Sequence, residues 1–445
     1  MSEIEPQEKL NIRLVFLIGF AFFCTQMSWS LYNQQVPLSL SRYEVYVTSI
    51  ALLGLIMGLD NLVGVVVQPV MGNVSDNTRT KWGRRMPYIM LGIPISALFF
   101  ALIAFETSFF TLLIFMFCFI VAMSFYRSQT VALMPDFIPP QHRSKANSII
   151  NMMGALSLVA ASLISLFLVD ISLQLAFITV SVIMIIACIV LITTVKEKNA
   201  YGYQLLLKME EDAGEKIKEK KEKVGLGQSF KDVLEEKDKS TITMLFAIFF
   251  ISVGWAALNA LLSLYGEIVL GLTRGQAGGL MLFGAITFLV SAFPLAILAE
   301  KYGRRLFIKI GLVIFSIGLL GSFLSLILFD TSAERLLMTQ LMIALVGIGY
   351  ACVIVNTIVI IWGLAPSEKK IGTYTGMYYL FTFTAEIFGP GLVGLITDIT
   401  GWEYFFLNAS IFLIVALILM FFVKREEAEL TEEQKLAKKK ALQEL

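Results

Sequence analysis

Histidine is nearly absent from this sequence, and charged residues are scarce. The 445-residue chain has 1 His, His142, and only 16% charged residues, whereas 57% of its residues are hydrophobic. A soluble domain cannot keep that much apolar surface out of water, so the composition indicates a polytopic membrane protein. Because His142 falls in a loop between apolar runs, a buried histidine proton relay is excluded. The net charge of +1 gives no reason to expect a nucleic-acid partner.

Cysteine is also rare, and its placement excludes two kinds of site. The 4 cysteines stand singly inside apolar runs, which favours neither a disulfide framework nor a metal cluster. They are predicted to be small core residues. With no phosphate-binding loop and no nucleophile–base set in the sequence, we expect neither an enzyme nor a bound metal or cofactor. These residues are Cys24, Cys118, Cys188 and Cys352.

Long apolar runs make up most of the chain. A membrane-spanning helix needs about 20 mostly apolar residues, and the first run lacks a cleavage-type end, so it is expected to remain as a helix. The sequence predicts an all-α, polytopic membrane protein with twelve transmembrane helices in two six-helix halves. The predicted spans cover residues 13–34, 46–72, 87–106, 109–134, 146–168, 174–195, 241–265, 275–298, 305–329, 335–363, 372–396 and 402–423.

The cations in the loops predict the orientation in the membrane. Pairs of cations follow spans 2, 4, 8 and 10, whereas the opposite loops hold single arginines. By the positive-inside rule, both termini are expected in the cytoplasm, in a multi-pass protein of the cell membrane. The pairs are Arg84 with Arg85, Arg143 with Lys145, Arg304 with Arg305 and Lys369 with Lys370; the single arginines are Arg42, Arg274 and Arg335.

An internal repeat relates the two halves of the chain. Trp29 and Asn33 in span 1 recur as Trp255 and Asn259 in span 7, an offset of 226 residues, and further pairs have nearly the same offset. Parallel halves of this kind place a substrate at their interface near the bilayer midplane. The further pairs are Pro69 with Pro294, Pro140 with Pro366, and Gly83 with Gly303.

The repeat also suggests domain boundaries. We predict an N-terminal six-helix bundle over residues 1–195, a charged cytoplasmic linker over 196–240, a C-terminal six-helix bundle over 241–424 and a charged cytoplasmic tail over 425–445. The linker is either a simple tether between the halves or a regulatory segment, and the sequence leaves both interpretations open.

Three charged residues lie inside predicted spans: Asp60, Arg127 and Glu386. Such a charge costs at least about 2.5–3.5 kcal/mol at a helix centre, and the repeat-related positions carry Ala285, Val353 and Ala160. The charges are therefore predicted to couple transport to protons. Asp60 is the first candidate for the proton carrier, with Arg127 as its counter-charge or a donor to the cargo. Alternatively, Asp60 and Arg127 form a structural ion pair that locks the halves together, and Glu386 packs against Tyr378 or faces water without a role.

Aromatic and amide side chains at the predicted interface suggest the cargo. Aromatic faces stack on sugar rings, and amides bond hydroxyl groups as donors and as acceptors. The combination favours a neutral, hydroxyl-rich ligand, although each aromatic residue alone could be a core or interface residue. The candidate substrate-binding residues are Trp29, Asn33, Gln34, Trp255, Asn259, Tyr350 and Asn356.

Charged loop residues are predicted to gate the transporter. Asp76, at the end of span 2, could accept hydrogen bonds from loop arginines or from a helix N-terminus and so stabilise an outward-open state. Asp136 could act similarly with Arg143. The complete set of gating candidates is Asp76, Gly83, Arg84, Arg85, Asp136, Arg143, Glu300, Arg304 and Arg305.

Several of these motifs resemble those of known carriers. A carboxylate followed by Gly-Arg-Arg after the second helix of each half looks like the loop motif of the major facilitator superfamily. The segment from Gln68 to Asp76, followed by Gly83 to Pro87, resembles sucrose/proton symporters and the glycoside–pentoside–hexuronide cation symporters. The segment from Met123 to Arg127 is similar to the fourth helix of bacterial relatives. The resemblance implies the major facilitator fold and proton-coupled symport of a disaccharide or glycoside, such as sucrose or maltose, by alternating access.

One departure from that pattern bears on the coupling ion. Melibiose-type relatives carry two acids near the end of span 2, where this chain has Gly64 and Gln68. H⁺ is therefore expected as the coupling ion in preference to Na⁺. The expected partners are a sugar, protons and the lipid bilayer, and the chain is expected to be a monomer. The alternatives are a proton-driven exporter of drugs or metabolites and a non-transporting membrane sugar sensor.

Overall fold

The computed structural model describes residues 11–139, 142–213, 233, 238–366 and 370–426. Twelve of its helices are long and apolar enough to cross a membrane, which confirms the all-α fold and the predicted number of spans. Two residues from the sequence patterns, Pro140 and Lys369, lie outside the described residues. Spans 1 to 12 are Ile12–Leu40, Ile50–Asp76, Met86–Ile103, Phe109–Phe137, Lys145–Val169, Leu173–Thr194, Ser240–Ile268, Arg274–Tyr302, Arg304–Leu328, Ser332–Leu364, Ile371–Thr400 and Trp402–Phe422.

The helix bundle has two ends, which the direction of the spans distinguishes. We call the end where span 1 begins and span 12 ends the near face, and the opposite end the far face. Because successive spans alternate in direction, the Gly-Arg-Arg loops after spans 2 and 8 lie at the near face. The loop cations predict that this face is cytoplasmic.

Span 2 contains a break next to one of the charged residues. Its first helix, Ile50–Met57, ends at Gly58, and its second helix begins at Leu59. A side chain at Gly58 would collide with the backbone of Ile387 in span 11, and one at Gly54 would collide with Pro390. Glycine at these two positions therefore allows the backbones of spans 2 and 11 to touch.

The beginning of the predicted linker packs against the N-terminal half. A helix over Tyr201–Ala213 follows span 6, and its Tyr203 and Leu206 pack against Phe137 at the end of span 4. Arg79, in the loop after span 2, forms a 2.7 Å ion pair with Glu210 of this helix. Residues 214–232 and 234–237 of the predicted linker, and 427–445 of the predicted tail, lie outside the described residues.

Candidate functional site

A cavity of about 810 Å³ lies between the two six-helix halves. Its lining extends to Asn147 and Trp362, which are near the ends of spans 5 and 10 at the near face. The cavity therefore approaches the near face. Eight of the residues singled out in the sequence line it together: Trp29, Asn33, Asp60, Arg127, Trp255, Asn259, Tyr350 and Glu386.

Asp60 lies at the cavity wall just after the break in span 2. Only 4% of its surface is exposed, and its Oδ1 accepts hydrogen bonds from the backbone N–H and the side-chain amide of Asn61, at 2.6 and 2.9 Å. Glu386 lines the cavity from the other half, and Arg127 lines it from the same half as Asp60. Among the described residues, the lining of the cavity thus combines one carboxyl group from each half with one guanidinium group.

Arg127 contacts an aromatic ring instead of a carboxylate. Its guanidinium carbon lies 5.6 Å from the centre of the Trp29 ring, a cation–π distance. Among the described residues, Arg127 forms no ion pair with Asp60 or Glu386. The alternative of a structural Asp60–Arg127 ion pair is therefore not supported, and since both residues belong to the first half, it could not join the halves.

The repeat-related tryptophans have different aromatic partners. In the second half, Trp255 stacks on Tyr350 with ring centres 3.6 Å apart and planes 8° apart. In the first half, Trp29 stacks on Tyr32 at 5.8 Å. Because Trp29 and Trp255 both line the cavity, each half presents an aromatic face to a bound molecule.

Two predicted cargo residues lie elsewhere. Asn356 is fully buried beside Arg304, which donates to its Oδ1 at 3.1 Å. It stands two residues from each of the cavity residues Ile354 and Ile358, so it points about 160° away from them around the helix. Gln34 is also buried and donates to Ser162 at 2.9 Å. It follows Asn33, so it faces about 100° away from that cavity residue.

The structure adds four asparagine and glutamine residues to the site that the sequence prediction had missed. Each carries an amide, and each lines the cavity. Asn147 and Asn151 are four residues apart, which is the spacing of neighbours on one helix face. Gln26 and Ser30 stand seven and three residues before Asn33, on the same helix face, so helical spacing from Asn33 could have identified Gln26. The four residues are Gln26, Asn61, Asn147 and Asn151.

A buried ion-pair cluster holds the near-face loop of the first half. Arg85 pairs with Asp76 at 2.5 Å and with Asp136 at 3.2 Å, and Arg84 pairs with Asp136 at 2.6 Å. Arg85 also donates to Ser75. All of these residues belong to one half, so their pairing does not itself join the two halves. A role for the cluster in gating stays a prediction.

The carboxylate of Glu197, three residues after span 6, also binds the near-face loop of the first half. It accepts hydrogen bonds from the backbone N–H groups of Arg84, Arg85 and Met86 at 2.8–2.9 Å. Gly83 has φ +113°, and a side chain there would collide with Glu197. Burial raises the pKa of the Glu197 carboxyl, although the three backbone donors favour its charged form.

The corresponding loop of the second half has fewer hydrogen bonds and ion pairs within the described part of the chain. Gly303 repeats the positive φ of Gly83, at +104°, and Glu426, four residues after span 12, accepts from the backbone N–H of Arg305 at 3.0 Å. Glu300 is exposed and has no hydrogen bond or ion pair with the described residues. Arg143, in the first half, donates to backbone carbonyls and not to Asp136, because its guanidinium reaches Pro135 and Ile138.

We expect Glu197→Ala to destabilise the protein more than Glu426→Ala does. The first change leaves three buried N–H groups without their acceptor, at about 1–3 kcal/mol for each buried unsatisfied group. The second leaves one N–H group, which is only partly buried. Thermal unfolding of the two variants in detergent measures the difference. Equal losses of melting temperature would show that the Glu197 contacts do not stabilise the loop.

The far face is closed by hydrogen bonds between the halves. Asp170, at the end of span 5, accepts from the Gly275 N–H at 2.7 Å and from the Thr273 hydroxyl at 2.5 Å, at the start of span 8. Asp398, near the end of span 11, accepts from the N–H groups of Ile50 and Ala51 at 2.8 and 3.0 Å, at the start of span 2.

These two contacts are related by the internal repeat. Asp170 and Asp398 stand 228 residues apart, and each binds the first turn of a helix in the other half. We call the two contacts the far-face latches. Arg274 adds a third link, because it donates to the Gln35 carbonyl and the Ser39 hydroxyl of span 1 at 2.8 and 2.6 Å.

Two six-helix halves that enclose a cavity with charged and amide side chains at their interface define the class of secondary transporters. The family model of the Major Facilitator Superfamily matches residues 18–290 and 244–444, and the chain belongs to this family. It is therefore a multi-pass membrane transporter, as the paired Gly-Arg-Arg loops predict. Among solved structures, the chain is similar to a bacterial homologue of the human lysosomal transporter Spinster in an inward-facing, occupied conformation, with a TM-score of 0.70 and 14% identity over 94% of this chain and 99% of that one.

Short segments of the chain are similar to characterised carriers. The lactose permease of Lactobacillus helveticus is 49% identical over 49 residues, 10% of this chain. Multidrug resistance protein 3 of Bacillus subtilis (strain 168) is 33% identical over 141 residues, or 31% of this chain. Sucrose transport protein SUT1 of Oryza sativa subsp. japonica is 30% identical over 105 residues, or 24% of it. The matched segments span only 8%, 25% and 19% of those relatives.

Proposed function

We propose that this protein is a proton-coupled sugar symporter of the cell membrane that works as a monomer by alternating access. The observation that carries the proposal is the pair of carboxyl groups, Asp60 and Glu386, which come from different halves and face one cavity beside Arg127. A carboxyl group in an apolar cavity can take up and release a proton during turnover. The lactose and sucrose carriers among its relatives favour a sugar as cargo.

The loop cations suggest how the structure lies in the membrane. With the near face in the cytoplasm, the closed far face is extracellular and the cavity approaches the cytoplasm, which corresponds to an inward-facing state. Trp29 and Trp255 then offer aromatic faces to the sugar, and Asn33 and Asn259 offer amides to its hydroxyl groups. Arg127 either balances the charge of a carboxylate or donates to cargo oxygens.

The test is sugar-driven proton movement in proteoliposomes, measured with a panel of disaccharides and glycosides. We expect the external medium to become alkaline when a transported sugar is added outside, because each sugar enters together with protons. The signal should be the same with and without sodium. Sugar flux without any pH change, or flux that requires sodium, would contradict the proposal.

A proton-driven exporter of apolar compounds is the second candidate. The apolar second-half side of the cavity, which includes Phe288, Val355 and Ile358, favours it, as does the similarity to the multidrug resistance protein. An exporter would move a lipophilic dye against its concentration gradient when a proton gradient is imposed, and sugars would cause no alkalinisation. The same proteoliposomes therefore distinguish the two functions.

A further inference from the structure

The two halves contribute chemically different walls to the cavity. The first-half wall carries amides on spans 1 and 5, together with Asp60, Asn61 and Arg127, whereas spans 8 and 10 present almost only apolar side chains. A ligand with uniformly distributed hydroxyl groups would leave many of them against the apolar wall without hydrogen-bond partners, which is costly. The asymmetry therefore bears on which sugars fit.

The polar wall offers hydrogen-bonding groups that the protein does not use itself. The Oε1 atom of Gln26 is buried and has no hydrogen-bond partner among the described residues, although its side chain lines the cavity. Asn33, Asn147 and Asn151 follow along spans 1 and 5. A buried acceptor without a partner is unfavourable unless water or a ligand donates to it, and sugar hydroxyls are suitable donors.

The apolar wall continues the aromatic stack of the second half. The Phe288 ring centre lies 5.7 Å from that of Tyr350, which itself stacks on Trp255. Along span 10, Val355 and Val359 are one helix turn apart, lie closer to the near face than Tyr350 and line the same cavity. This surface can bury a ring or a short alkyl chain, but it has few groups that could bond hydroxyls.

We propose that the cargo is an amphiphilic glycoside, with its sugar against spans 1 and 5 and its apolar aglycone against spans 8 and 10. The volume of about 810 Å³ is near the upper end of the roughly 300–1,000 Å³ typical of small-molecule sites, which leaves room for both parts. This inference rests on the proposed sugar transport. It assigns the substrate class and the orientation of the substrate in the cavity.

Binding of a matched pair of ligands tests the proposal. Phenyl β-glucoside and methyl β-glucoside differ only in the aglycone, and we expect the phenyl compound to bind about tenfold more tightly or better, because its ring is buried on the apolar wall. The measurement is inhibition of sugar counterflow by each compound in proteoliposomes. Equal inhibition by the two glucosides would overturn the inference and leave sugar transport standing.

Two variants test how each wall of the cavity contributes to glucoside binding. The double variant Val355→Thr/Val359→Thr, which conserves side-chain shape but adds hydroxyls, should weaken phenyl glucoside binding at least fivefold and leave methyl glucoside binding unchanged. Gln26→Leu should weaken both. The control is Val290→Thr, at a position 69% exposed on span 8 and outside the cavity lining.

The remaining outcomes separate this inference from the proposed function. If the valine variant weakens both glucosides equally, the aglycone does not lie on span 10 and the inference is wrong. If neither glucoside nor any disaccharide inhibits or exchanges, the proposed sugar transport fails. If phenol alone binds as tightly as phenyl glucoside, the apolar wall binds a ligand but the sugar contributes nothing, which overturns the glycoside assignment.

Discussion

The Asp60→Asn variant should lose uphill sugar uptake completely and still exchange sugar across the membrane. Asparagine cannot carry the proton, so the sugar concentrations on the two sides should only become equal. Its remaining carbonyl oxygen can still accept from the Asn61 N–H, which Asp60 does at 2.6 Å, so the local structure should persist. The measurement is uptake into proteoliposomes under an imposed proton gradient, with counterflow of labelled sugar in parallel.

Two further variants test whether the loss of uphill uptake is specific to Asp60. Asp330→Asn removes a carboxylate from an exposed loop after span 9 and should leave uphill uptake unchanged. Glu386→Gln tests the carboxyl group of the second half; loss of coupling there as well would show that both groups take part. Uphill uptake that remains normal in Asp60→Asn would remove Asp60 from the mechanism.

The double variant Asp170→Asn/Asp398→Asn should shift the transporter towards a state with an open far face. Each aspartate uses both carboxylate oxygens as acceptors at the start of a helix in the other half, and an asparagine offers only one. Loss of such a contact costs about 0.5–2 kcal/mol. Two losses therefore shift the balance between the states by at least about fivefold.

Spin labels on the far face can measure this shift. Labels at Val45 and Ser332, which are exposed and belong to different halves, report the separation of the halves in a background without the native cysteines. We expect a population with longer distances to grow in each single variant and more in the double variant. The control Asp330→Asn should not change the distances, and an unchanged distribution in the double variant would show that the latches do not hold the far face closed.

Sequence periodicity predicted most of the fold, because each span is a local apolar run. The twelve spans follow from hydropathy, and the repeat of Trp29 and Asn33 at Trp255 and Asn259 correctly indicated residues that meet in one cavity. Asp60 could be singled out because a charge within an apolar run is costly. These signals are local or repeated, so a single sequence carries them.

The remaining features depend on contacts that a single sequence does not show. Asn356 resembles a cargo residue by type, but its position around span 10 directs it to Arg304. Asp170 and Asp398 lie at helix ends, where a carboxylate is common and does not by itself indicate a contact. Their equivalent positions in the internal repeat were the sequence signal that could have identified them. Glu197 binds a loop more than a hundred residues earlier in the chain, and the packing of span 6 against span 3 brings the two together.

The bare backbone contact between Gly58 and Ile387 has a mechanical consequence. Asp60 follows Gly58 by two residues, and Glu386 directly precedes Ile387, so both acidic groups are carried by the pieces of backbone that touch there. Any tilting of one half that parts spans 2 and 11 at this point must also move the two carboxyl groups apart. The distance between the two acidic groups would then differ from one conformation of the transport cycle to the next.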